Sequence, residues 1–198
     1  LEIVDVGDGG CKEDKFTRDF RLLDTDFKRD PTNCRTCFYL ANTCRNLGRY
    51  DRAVEYYKKR IEMGGWTEEV WNAKLQLGRC HMDQGNHEAA IFAWLEAFDY
   101  YPKRAEPIYE IVKYYRIHSK HQLALHFYTL GIAIPYPSED VLFIEKNIYD
   151  YLFDYELSII AYYLKKDIPR DRIYHTHRKL FNNTSCPYRE SILANYKF

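Results

Sequence analysis

The sequence predicts an all-α fold, a helical solenoid in which antiparallel helix pairs stack into a right-handed superhelix. Three observations predict it. Ala53, Ala90 and Ala124 recur at spacings of 37 and 34 residues, and a period in the thirties is typical of helical repeat proteins. Gly48 and Gly85 each stand five residues before one of these alanines. Between these markers, apolar residues recur at the spacing of one helix face.

The recurring residues divide the middle of the chain into three repeats. The first repeat carries Leu40, Ala41, Cys44, Gly48, Tyr50, Ala53, Tyr57 and Ile61. The second carries Leu77, Gly78, His81, Gly85, His87, Ala90, Trp94, Ala97, Phe98 and Pro102. The third carries Ile111, Val112, Tyr115, His121, Ala124, Tyr128, Gly131, Ile132 and Pro135. This order of small and large residues resembles the tetratricopeptide superfamily, which implies a helix, a tight turn and a second helix in each repeat.

The residue types of the repeats have a packing reason. A small alanine lets the two helices of a pair approach, and the large aromatic residues fill the space between pairs. Gly48 and Gly85 stand where the first helix of a pair ends, a place that favours positive φ. Pro102 and Pro135 follow the second helices, which they cannot continue.

Segments on both sides of the repeats are also predicted to be helical. An amphipathic helix is expected before Asp30 and Pro31, because Phe16, Phe20, Leu23 and Phe27 recur at helical spacing. Residues 139–165 carry enough apolar residues for one or two helices, and Pro169 starts another. The sequence therefore divides into a tail or linker at 1–13, repeats at 14–135 and repeat-like helices at 136–198.

Composition excludes several classes of protein. The chain of 198 residues has 29 Lys and Arg and 29 Asp and Glu, so its net charge is zero, and no general attraction to nucleic acid or anionic membranes is expected. Its longest apolar runs are too short to span a membrane. The six cysteines are scattered without a disulfide framework, which predicts a cytoplasmic protein.

Short ordered segments carry a narrower resemblance. They are Gly7 to Gly10, Asp14 to Phe16, Asp30-Pro31, Phe38 to Ala41, Gly64 to Trp66, Tyr149 to Tyr151, Tyr155 to Ile160 and Asn195 to Phe198. Their order resembles the region after the catalytic domain of family 2 glycosyltransferases with tetratricopeptide tails, as found in large DNA viruses and some bacteria. The resemblance implies a viral or host-cytoplasmic location.

The same resemblance implies a division of labour within the parent protein. The catalytic domain, with its nucleotide sugar and divalent Mn or Mg, would lie upstream, so this chain alone is expected to be neither catalytic nor dependent on a cofactor. Asp5 and Asp8 would stand near the metal and the donor diphosphate, or form an exposed acidic turn. The chain would then position a protein or glycan acceptor, or the catalytic domain itself. The alternative is a protein-interaction adaptor unrelated to glycosylation.

The cysteines allow two interpretations. Cys34 and Cys37 have the C-x-x-C spacing of a zinc site, with Cys44, Cys80 or His81 as further ligands. Cys37 and Cys44 also occupy the apolar positions of a repeat's first helix, and we therefore predict core thiols and no metal site.

A binding groove follows from the repeat register, because the first helices of stacked pairs line one surface. Rows are expected of Asn42, Arg79 and Lys113; of Arg45, Met82 and Arg116; of Arg35, Asn72 and Glu106; and of Phe38, Leu75 and Tyr109. Five cations and one carboxylate in these rows favour an anionic ligand. The predicted groove residues are Arg35, Phe38, Asn42, Arg45, Arg79, Tyr109, Lys113 and Arg116.

Overall fold

The computed structural model describes residues 12–190 and 192. Within these residues all regular structure is helical, which confirms the predicted all-α class. The helices are α1 (Lys12–Arg29), α2 (Cys34–Asn46), α3 (Tyr50–Glu62), α4 (Thr67–Asp83), α5 (His87–Tyr100), α6 (Glu106–Ile117), α7 (His121–Gly131), α8 (Phe153–Tyr163) and α9 (Arg170–Asn182). A π-helical turn, Ile148–Leu152, leads directly into α8.

The helices form two compact units that divide between Ala90 and Ile91, inside α5. The first unit therefore contains α1 to α4 and the second contains α6 to α9. This division lies within the repeat segment predicted at 14–135. The predicted segment boundaries themselves stay a prediction.

In the first unit each helix packs against the next one along the chain. Helix α1 ends at Arg29, directly before Asp30-Pro31, as the sequence predicts. Helix α2 begins after Asn33, whose side chain accepts a 3.0 Å hydrogen bond from the Thr36 N–H and so satisfies one donor of the first turn. Ala53 is fully buried, which confirms its predicted place in the core.

In the second unit α8 packs against both α6 and α7. The ring of Phe153, at the start of α8, meets Tyr109 of α6 edge-on with 5.6 Å between ring centroids. The same ring meets Tyr128 of α7 at 6.3 Å. Ala124 is fully buried, as predicted. One aromatic ring therefore joins three helices of this unit.

The turn inside each helix pair closes in the same way three times. Gly48 has φ of +68°, and the N–H of the next residue, Arg49, donates 2.9 Å to the Cys44 carbonyl. Gly85 repeats this conformation with φ of +77°. These are helix ends of the Schellman type, and both glycines confirm the prediction. In the third pair the same position holds Ser119 with φ of +57°, a conformation that the sequence did not predict.

The one or two helices predicted within 139–165 are present as the π-helical turn and α8, whereas residues 139–145 are not helical and helix begins at Lys146. The cause is the fully buried guanidinium of Arg104, which donates hydrogen bonds to the carbonyls of Leu142 and Phe143 at 3.1 and 3.0 Å. Arg104 also contacts Asp140 and Glu106. Because their oxygens face an arginine, these carbonyls do not accept from a helical turn.

Candidate functional site

Asn42 of α2 and Arg79 of α4 lie in the first unit around one buried tyrosine. The Tyr57 hydroxyl of α3 donates a 2.6 Å hydrogen bond to Oδ1 of Asn42. Burial raises the pKa of Tyr57 well above its usual range, and the charges of Arg45 and Arg79 partly oppose that rise. Both guanidinium groups are therefore close enough to act on the Tyr57 hydroxyl. We call Asn42, Arg45 and Arg79 the α2–α4 face.

Arg45 has a side-chain donor that lacks a hydrogen-bond acceptor in the part of the chain that the structure describes. Its side chain is half-buried, and among the described residues Nε has no hydrogen-bond partner although the atom is buried. A buried donor without an acceptor costs about 1–3 kcal/mol. An anionic group bound here would supply the acceptor.

Arg35 lies on α2 about three turns before Arg45 and so extends the positive charge toward the helix N-terminus. The Arg35 side chain is exposed, and its Nη2 donates a 3.3 Å hydrogen bond to the Tyr39 hydroxyl. Its guanidinium carbon lies 5.6 Å from the centroid of the Tyr39 ring. Tyr39 is itself 41% exposed, so this pair offers an aromatic and cationic surface.

Five residues of the predicted groove rows lie in the core instead, namely Phe38, Asn72, Leu75, Glu106 and Tyr109. Phe38 is 1% exposed and Leu75 is fully buried, so the expected aromatic–apolar row is interior packing in the first unit. In the second unit Tyr109 is 8% exposed and packs on Phe153. Glu106 is fully buried and bonds to Arg104. The prediction that these side chains line a surface is wrong, because they face the interior of their own units.

The other two predicted groove residues of the second unit, Lys113 and Arg116, differ in their exposure and in their contacts. Lys113 is exposed. Arg116 forms two hydrogen bonds to Glu156 of α8, from Nε to Oε2 at 2.5 Å and from Nη2 to Oε1 at 3.1 Å. The hydrogen bond to Glu156 raises the pKa of Arg116 above its usual value, despite the opposing effect of burial. Its charge is therefore neutralised within the unit.

Three of the described cysteines of the first unit are core thiols, as predicted for Cys37 and Cys44. Cys37, Cys44 and Cys80 are fully buried, and burial raises the pKa to about 11 for Cys37, about 11 for Cys44 and about 12 for Cys80. Cys34 is half-buried. In the part of the chain that the structure describes, no three His, Cys, Asp or Glu side chains form a group that could hold a metal ion. Asp5 and Asp8 lie outside the described residues.

An open depression of about 560 Å³ also lies in the first unit. Its lining residues are Gly48, Arg49, Tyr50, Asp51, Arg52 and Gln84. The guanidinium groups of Arg49 and Arg52 lie over the ring of Phe20 at 4.7 and 5.6 Å. The carboxylate of Asp51 accepts a 2.7 Å hydrogen bond from Gln84. Charges of both signs line this depression, so it selects no particular ligand chemistry.

Comparisons with known proteins agree with the helix pairs. Models of the tetratricopeptide repeat match residues 36–69 and 72–104. The chain therefore contains tetratricopeptide repeats, and the predicted fold class is confirmed. The third helix pair, α6 and α7, lies outside these two matches.

Two solved structures share this fold along almost the whole chain. One is a crystal structure of MamA, with a TM-score of 0.63 and 22% identity, covering 98% of this chain and 100% of that chain. The second, a crystal structure of MamA protein, has a TM-score of 0.61 and 22% identity and covers 98% of this chain and 93% of that one. At this identity the likeness shows the fold alone. No curated protein matches the chain.

No described helix is long and apolar enough to cross a lipid bilayer.

Proposed function

We propose that this chain is a protein-interaction module, and that the α2–α4 face of its first unit binds an acidic segment of a partner protein. The tetratricopeptide repeats support an interaction role over catalysis. The observation that carries the choice of ligand is the buried, unpartnered Nε of Arg45 beside Asn42 and Arg79. This proposal keeps the alternative of a protein-interaction adaptor unrelated to glycosylation and adds the class of ligand that it binds.

The chemistry of this face suits a carboxylate. The Arg45 guanidinium and the Asn42 side-chain amide are hydrogen-bond donors that can share two carboxylate oxygens. Oδ1 of Asn42 is already bonded to Tyr57, which orients the amide so that its NH₂ group is the group available to a ligand. Part of the ligand's binding energy comes from satisfying the Arg45 donor, which is otherwise buried without an acceptor.

The test is a binding titration with an unstructured peptide of Glu, Ser and Gly. Arg45→Ala should weaken its binding roughly tenfold, which corresponds to about 1.4 kcal/mol. Arg45→Lys keeps the charge but removes Nε, and it should weaken binding nearly as much. Lys58→Ala, at an exposed cation of α3 in the same unit, is the matched control and should change nothing. An equal loss of affinity in the Lys58 and Arg45 variants would show that the peptide responds only to the overall positive charge, and it would contradict the proposal.

We also propose, more narrowly, that the partner is the catalytic domain of a family 2 glycosyltransferase or that domain's acceptor, with Mn or Mg and a nucleotide sugar bound upstream. This proposal has the support of the ordered segments Gly7 to Gly10, Gly64 to Trp66 and Tyr155 to Ile160 only. Reading the residues encoded before Leu1 tests it. An Asp-x-Asp motif after alternating strands and helices would support the transferase, whereas a further helical repeat would leave the adaptor.

A further inference from the structure

Helix α9 carries four cations and one carboxylate, and two of these cations have partners within the second unit. Nζ of Lys179 bonds to Asp154 of α8 at 2.5 Å. The guanidinium of Arg172 lies 5.3 Å from the centroid of the Tyr128 ring on α7. These two side chains therefore fasten α9 to its neighbours. The buried face of the helix is completed by Thr176, His177 and Leu180.

The other two cations of α9 lie on an exposed stripe. Arg170, Tyr174, Arg178 and Phe181 follow each other at helical spacings of four, four and three residues, so they share one side of the helix. All four are exposed, Tyr174 by 55% and Phe181 by 42%. Among the described residues neither Arg170 nor Arg178 forms an ion pair. We call these four residues the α9 stripe.

A third arginine adjoins the stripe at its C-terminal end. The guanidinium carbon of Arg189 lies 5.2 Å from the centroid of the Phe181 ring. Its Nε is buried and has no hydrogen-bond partner among the described residues. The end of the stripe therefore combines an aromatic ring with an arginine, two residue types enriched at protein interfaces, and the Nε of this arginine lacks an acceptor within the described part of the chain.

We infer that the α9 stripe is a second interaction surface, and that its partner is an acidic amphipathic helix of another protein. Eight residues separate Arg170 from Arg178, so the two guanidinium groups stand about 12 Å apart along the helix axis. A partner helix matches this spacing when it carries Glu at two positions eight residues apart and a leucine midway, facing Tyr174. A helix is the matching element because rows of side chains spaced three or four residues apart pack into the grooves of another helix.

Charge and the available ring faces favour this partner over two others. A second copy of the chain would bring arginine against arginine across an isologous contact, which is repulsive. A single nucleic-acid strand needs successive ring faces on which bases can stack, and of the two rings in the stripe that of Phe181 is already covered by Arg189. The chain's net charge of zero provides no general attraction for a polyanion. An acidic helix meets both the local charge and the apolar rings.

The test uses the whole chain and a synthetic helical peptide with Glu, Leu and Glu at successive four-residue spacings on one face. Fluorescence anisotropy should show binding that weakens with salt. The double variant Arg170→Glu, Arg178→Glu should lose at least tenfold in affinity. The same peptide with Lys in place of both Glu should bind this variant better than it binds the original chain. Lys103→Glu, at an exposed cation between α5 and α6, is the control and should leave the affinity unchanged.

Three results would overturn the inference. One is equal affinity of the acidic peptide for the original chain and the double variant. Another is no gain from the charge-reversed peptide. A third is tighter binding of single-stranded oligothymidylate than of the peptide, lost in the same double variant, which would make the stripe a nucleic-acid site. Arg170→Gln, Arg178→Gln repeats the measurement without introducing negative charge, and circular dichroism checks its fold. Arg45→Ala should not affect this binding, so a failure of the α2–α4 face is distinguishable.

Discussion

Arg60 at the end of α3 donates a 2.6 Å hydrogen bond from Nε to Oε1 of Glu69 in the first turn of α4. Both side chains are buried, at 0% and 6% exposure. Nη1 of Arg60 also donates to the carbonyl of Gly64 at 2.6 Å. One guanidinium thus ties together the end of α3, the turn between the repeats and the start of α4.

Removing one partner of this pair should be more damaging than removing both. Glu69→Leu leaves the Arg60 charge buried without a counterion and should lower the free energy of unfolding by about 3–5 kcal/mol. The double variant Arg60→Leu, Glu69→Leu should recover much of that loss. Urea denaturation measures both. If the double variant were as unstable as the sum of the two single ones, the pair would not be coupled.

Arg116 was predicted to bind a ligand, but its contact with Glu156 gives it a structural role. Arg116→Ala should lower the free energy of unfolding by about 1.5–3 kcal/mol, because it removes a charged hydrogen bond and leaves the buried Glu156 unpaired. Thermal melts measure this, and Lys113→Ala, three residues away and exposed, provides the comparison. A neutral Arg116→Ala would argue against this role.

Gly131 of α7 faces the ring of Phe153 of α8 and the side chain of Ile108 of α6. A Cβ at this position would stand 2.5 Å from Cε1 of Phe153 and 3.0 Å from Cγ2 of Ile108. Since the Phe153 ring is held in the core, Gly131→Ala should overpack the contact and cost about 1–3 kcal/mol. Combining it with Phe153→Leu should give a smaller loss than the two single losses added. If the two losses in the free energy of unfolding were strictly additive in denaturation experiments, the strain in Gly131→Ala would not come from the contact with Phe153.

Ser119 occupies the left-handed position that glycine holds in the first two helix pairs. The left-handed conformation costs a residue with a Cβ about 1–2 kcal/mol, and glycine loses about 0.4–1 kcal/mol more chain entropy on folding. Ser119→Gly should therefore stabilise the protein by roughly 0.5–1 kcal/mol. Gly85→Ser, which meets no atom within 4 Å, should destabilise it by a similar amount. Opposite shifts in melting temperature are expected, and shifts of the same sign would contradict this reason.

The buried thiols should resist alkylation at pH 8. Burial raises the pKa of Cys37, Cys44 and Cys80 from 9.0 to between about 11 and 12, so these side chains stay protonated and only a thiolate reacts. Iodoacetamide labelling with peptide mass spectrometry should modify the half-buried Cys34 before these three. Rapid labelling of Cys80 in the folded chain would show that it is accessible.

The same shifts have a consequence at alkaline pH. A raised pKa in the folded state contributes stability that is complete below pH 9 and is lost as pH rises through 11 to 12. The free energy of unfolding should accordingly fall above pH 9.

The sequence predicted the helix pairs well, because their signals are local. Gly48 and Gly85 mark helix ends through their backbone freedom, and the spacing of Ala53 and Ala124 marks the packed side of each pair. The non-helical segment 139–145 could not be predicted in this way. Its conformation depends on Arg104, which lies more than thirty residues earlier and binds two of its carbonyls.

The candidate site was predicted only in part for the same reason. Helical periodicity placed Asn42, Arg45 and Arg79 on the first helices of their pairs, and these remain together around Tyr57. Periodicity gave Phe38 and Tyr109 a similar place, yet both are buried. Whether a helix position faces solvent depends on the neighbouring helix that covers it, and a single helix pattern does not contain that neighbour.

Arg60 separates what the sequence determines from what the tertiary structure determines. It stands seven residues after Ala53, at the register position of Ala97 and Gly131 in the other repeats, so the sequence alone determined its place within the repeat. Only the tertiary structure decided that this arginine is buried, by placing Glu69 and the Gly64 carbonyl within hydrogen-bond distance. The physical reason is that backbone propensity and apolar spacing act over a few residues. A buried charge is stable only where the folded chain brings its partners to it.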